Sequence, residues 1–63
     1  MLHEFTDKQL NEKIIVNSDH IVTYNADGEG TCLMLSSGVV RVVTESFDMV
    51  NHILRRHFPI IGN

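Results

Sequence analysis

The sequence predicts a small α+β domain: an antiparallel β-meander of three to four strands with a C-terminal helix packed on one face. Three observations carry that prediction. Between residues 13 and 44, β-branched runs alternate with short polar turns, the pattern of antiparallel strands. From Phe47 onward the apolar residues take helical spacing, at Phe47, Val50, Leu54 and Phe58. The whole chain has only 63 residues, room for one domain over residues 1–63 and no second core.

Taken in order, Leu2 to Phe5 reads as a short edge strand. Thr6 to Glu12 is polar and reads as a loop or one helical turn. Lys13 to Asn17 carries Ile14, Ile15 and Val16, a β-branched strand run. Asn17-Ser18-Asp19 is a turn, because short polar side chains bond to nearby backbone and compete with regular structure. His20 to Tyr24 is the next strand. Asn25 to Gly30 is the strongest turn signal, since Asp27-Gly28 supplies the positive φ of a tight hairpin. Thr31 to Ser36 and Val39 to Thr44 are strands joined by a turn at Ser37-Gly38. The helix then starts with Thr44 or Ser46 as cap, and Glu45 and Asp48 lie where its dipole favours anions. Arg55, Arg56 and His57 lie where it favours cations. Pro59 stops the helix near His57, leaving a tail with Ile60 and Ile61 available to dock.

Composition narrows the function classes. Hydrophobic residues make up 43% and charged residues 21%, which is ordinary globular composition rather than disorder. A substrate cavity of roughly 300 Å³ would hollow out so small a core, so an enzyme is not expected. No stretch approaches the ~20 apolar residues of a membrane span. Met1 to Phe5 has no basic or apolar leader pattern, and the lone Cys32 has no disulfide partner; a cytoplasmic protein is expected. Eight acidic against five basic residues give a net charge of −3, which disfavours a nucleic-acid partner.

The strands do not alternate as a sheet with one wet face should. In Thr31 to Ser36 one face carries Leu33 and Leu35, the other Cys32 and Met34. In Val39 to Thr44, Val39 and Val43 flank Arg41 on one face, and Val40 and Val42 share the other. One short helix covers one face only. Either residues 1–11 and 59–63 wrap the second, or another copy of the chain does. A homo-oligomer is the expectation, with Cys32, Met34, Val40 and Val42 as its interface. Leu33, Leu35, Val39 and Val43 replace them if the helix takes the other side.

No catalytic, cofactor or metal constellation emerges. Asn25, Asp27 and Glu29 imitate the opening of a calcium loop, but position twelve is Ser36 and the flanks read as strands, so a hairpin with solvated acids is expected. His52 and His57 are five apart, which turns the second ring about 140° from the first; Asp48 is the expected partner of His52. Ser18-Asp19-His20 holds the letters of a hydrolase triad, but neighbours across a turn cannot assume its geometry. Cys32 lies mid-strand with no cation close in sequence, a small hydrophobe rather than an activated thiolate. Arg41, Arg55 and Arg56 are the candidates for an anion or partner contact, against the simpler reading that Arg55 and Arg56 complement the helix dipole.

Residues 17–50 nonetheless follow a recognisable order. Asn17-Ser18-Asp19-His20-Ile21 is followed by Thr31 to Leu35, then Gly38, then Val42-Val43-Thr44-Glu45-Ser46 leading into Phe47 and Val50. This run resembles the small flagellar proteins of the FlbD type, in which a strand ending in Asn-x-Asp-x-Ile, a variable hairpin and a Val-rich strand ending in Glu-Ser precede a terminal helix. The resemblance implies the fold and a small non-enzymatic protein-interaction or regulatory module. The same stretch is similar, more loosely, to the hairpin core of LytTR-type DNA-binding domains, which implies the alternative of a nucleic-acid-associated transcriptional regulator. Those domains are more basic, and the acidic hairpin here would repel phosphate.

Overall fold

The computed structural model of the protein describes residues 1–56, and within them five strands precede one helix. β1 (Leu2–Asp7) and β2 (Glu12–Asn17) form an antiparallel hairpin closed by a turn over residues 8–11. Asp7 builds this turn: its backbone oxygen accepts the Asn11 N–H and its carboxylate the Leu10 N–H, with Asn11 at φ 55°. The polar stretch from Thr6 to Glu12 is thus a loop only over its middle four residues, 8–11, while Thr6 and Asp7 end β1 and Glu12 begins β2. A 3-10 turn (Ser18–His20), capped by the Asn17 side chain on the Asp19 N–H, leads into β3 (Ile21–Asp27). β4 (Gly30–Leu35) and β5 (Val40–Val43) complete the expected meander. The hairpin turn is shorter than expected, because β3 runs on to Asp27, which pairs with Gly30. Gly28, at φ 59°, takes the first central position, where a two-residue turn of the II′ kind needs a residue without a Cβ.

The strand order is β2-β1-β5-β4-β3, antiparallel throughout. β1 is therefore an interior strand and not the expected edge, and it does not wrap the second face. β5 and β1 are joined by the Lys8 N–H to the Val42 oxygen and the Thr44 N–H to the Thr6 oxygen. The two edges, β2 and β3, are consecutive in sequence. Laid flat, four inter-strand steps would separate them by ~19 Å. The four Cα steps from Asn17 to Ile21 reach at most ~15 Å, and less when wound as a 3-10 turn. The sheet has to curl, bringing the inward side chains of all five strands around one core.

That core is Phe5, Val16, Leu33, Val43, Val50 and Leu54, all buried. The helix α1 (Phe47–Arg55) supplies the last two and lies on the concave face. Ser46, rather than Thr44, is its cap and accepts the Met49 N–H at 3.2 Å. Phe47 is half-buried beside Tyr24, with ring centroids 5.8 Å apart. Asn51 does not face solvent as a helical wheel suggests: it accepts the Tyr24 hydroxyl at 2.8 Å. The expected helix end near His57, the stop at Pro59 and the docking of Ile60 and Ile61 lie outside the described residues.

Candidate functional site

Because α1 takes the face of Leu33, Leu35 and Val43, the other face of the meander is left uncovered by the described residues. There Cys32 pairs with Val42 and Met34 with Val40 across β4 and β5, a contiguous apolar quartet. Met34 is 45% and Val40 49% exposed, and Cys32 and Val42 are half-buried. Val22 on β3 and Val39, which precedes Val40, are exposed as well. Strand alternation delivers this arrangement, since residues two apart share a face and the register sets the pairs side by side. Cys32 is thus half-buried on the outer surface rather than sunk in the core.

The described residues cover the concave face only in part. A groove of about 530 Å³ opens between β2 and the β4 end, with Leu10, Ile14, Val16 and Leu35 as apolar walls. His20, Ser36, Ser37 and Arg41 supply its polar groups. The His20 ring nitrogen Nδ1 lies 3.2 Å from the Ser36 hydroxyl. Arg41 projects inward from β5 and meets the buried Asp7 carboxylate at 3.7 Å. Asp7 needs a counter-charge where water is excluded, and Arg41 provides it.

The structure does not gather Arg41, Arg55 and Arg56 into one anion site. Arg41 is held at Asp7, while Arg55 and Arg56 line a separate surface hollow with Asn51 and His52. His52 is partnered by Arg56, with Nε2 and Nη2 3.2 Å apart, and not by the expected Asp48. No three His, Cys, Asp or Glu groups converge among the described residues. No described helix is long and apolar enough to cross a membrane.

Glu45 is a residue whose role sequence reading assigned to the helix dipole alone. Its carboxylate accepts the Thr6 N–H at 2.8 and 3.1 Å and the Thr6 hydroxyl at 2.9 Å. Its backbone oxygen accepts the buried Thr31 hydroxyl at 2.9 Å. β5 ends before it could pair with the first half of β1, and the Glu45 side chain takes the vacated place. Burial works against ionisation here. Hydrogen bonds from the Thr6 amide, from its own amide and from the Thr6 hydroxyl, with the Lys13 charge, outweigh it and hold the carboxyl below its ordinary value. No family model, curated protein or solved structure matches the chain.

Proposed function

We propose that the protein is a cytoplasmic, non-enzymatic protein-interaction or regulatory module that works as a homo-oligomer through the outer face of β4 and β5. The observation that carries this reading is the quartet of Cys32, Met34, Val40 and Val42, left bare by the only described helix. Each Å² of apolar surface removed from water contributes about 25 cal/mol, and a domain this small has little stability to forgo. A second copy related by a two-fold axis would lay quartet on quartet. The resemblance of residues 17–50 to FlbD-type flagellar proteins supports a module of this kind.

Sedimentation at tens of micromolar tests the reading. The natural chain should sediment as a dimer or larger species, and Val40→Lys should give a folded monomer. A natural chain that stays monomeric and fully folded on dilution would overturn it.

A further inference from the structure

We infer that the free edge of β2, with the groove beside it, takes an extended peptide segment of another protein by strand addition, a segment with apolar residues at alternate positions and a carboxylate for Arg41. This surface is separate from the Cys32–Val42 face, and neither proposal depends on the other.

Register defines the edge. The Ser18 N–H reaches the Met1 oxygen at 2.8 Å and Leu2 stands opposite Asn17. Main-chain groups alternate along a strand, so Ile14 and Val16 direct theirs at β1 while Lys13 and Ile15 direct theirs away from it. Those outward groups meet no strand among the described residues, where β2 ends the sheet. They form a template that only another extended backbone matches. Ile15 is 61% exposed beside them, and no proline, bulge or covering helix blunts this edge among the described residues.

The groove adds side-chain recognition. A strand laid against β2 continues the concave face, so every second residue of it drops beside Ile14, Val16 and Leu35. Charge selects the partner. Lys13 stands on the edge, and Arg41 stands in the groove with its side chain 46% exposed. Asp7 engages the guanidinium at 3.7 Å through a single nitrogen, and a planar fork with five donors can bind a second carboxylate. A second copy of β2 would bring Glu12 together with Lys13, and so no net negative charge for Arg41. An acidic, apolar segment is the better match.

The test is a titration followed by amide resonances of the full chain. The probe is a short peptide, acetylated at its N-terminus and amidated at its C-terminus, that alternates valine and threonine and ends in aspartate. Its binding should shift Lys13, Ile15 and Leu35 and slow hydrogen exchange at the Lys13 and Ile15 amides. Replacing its aspartate by lysine should weaken binding about tenfold, the scale of one charge-assisted hydrogen bond. N-methylating alternate peptide nitrogens should abolish binding without touching the protein. Ile15→Pro removes an outward N–H that the fold does not use, and should abolish binding while the spectrum stays dispersed. Equal binding by the N-methylated or lysine-ended peptide would overturn the proposal. So would shifts confined to the Cys32–Val42 face, or concentration-dependent protection of β2 without peptide, which would assign the edge to a second copy. Groove resonances that move on replacing Ile60 and Ile61 by serine in the free chain would assign it to the chain's own C-terminal segment, and would overturn the proposal too.

Discussion

Replacing Glu45 by glutamine tests whether a side chain completes the sheet where β5 stops. The carboxylate takes the Thr6 N–H and the Thr6 hydroxyl on its two oxygens at 2.8 and 2.9 Å. Glutamine keeps one acceptor and loses both the charge and the second acceptor. Hydrogen bonds to charged groups contribute ~1.5–3 kcal/mol and neutral ones ~0.5–1.5 kcal/mol. Glu45 is only half-buried, so solvent screens part of the gain, and E45Q should lower stability by about 1–2 kcal/mol at neutral pH. Against the ~3–9 kcal/mol of a chain this size, urea unfolding followed by circular dichroism resolves such a loss. The pH dependence gives a second readout. A carboxyl held below its ordinary value of 4.5 stabilises the fold fully above that value and ceases to as pH falls through its lowered folded value. The gap between natural chain and variant should therefore be widest near neutrality and shrink below about pH 4, closing once both forms are neutral. A gap that is the same at both ends, or absent at neutral pH, would refute the strand-completing role.

Leu54→Ala should cost about 2–5 kcal/mol in the same unfolding assay, because Leu54 is fully buried; a loss below about half a kcal/mol would mean that the wrong helix face has been assigned to the core. Gly30→Ala should destabilise by about 2–3 kcal/mol or more, since a methyl there overlaps the Val43 carbonyl oxygen, and a thermal midpoint within a degree or so of the natural chain would contradict that close approach. The protein should show no salt-sensitive binding to duplex DNA at physiological ionic strength. Submicromolar binding that weakens steeply with salt would instead favour the LytTR-like alternative.

Much of the fold was legible because its signals are local. Asp27-Gly28 demands a tight hairpin, β-branched runs mark the strands, and the change of period at Phe47 marks the helix. Thr6, Asp7 and Glu12 were not legible as strand residues, since polar side chains reveal no buried face. Asp7 is buried because it folds the turn and meets Arg41, which lies 34 residues further along the chain. The contact of Asn51 is hidden for a similar reason: helical spacing marks its face as polar, and only the approach of β3 gives its oxygen a hydroxyl to accept.

The candidate surfaces divide the same way. That Cys32, Met34, Val40 and Val42 share a face follows from strand alternation, a property of the sequence alone. Which of the two apolar faces is bare depended on where the helix lay, and packing of Val50 and Leu54 against Phe5, Leu33 and Val43 decided it. The position of β1 between β2 and β5, the edge at Lys13 and Ile15, and the groove at Arg41 follow from pairing β1 with β5, about forty residues apart in sequence. Local propensity selects a strand but not its neighbour, because the energy of pairing resides in contacts between segments that meet only when the sheet curls around its core.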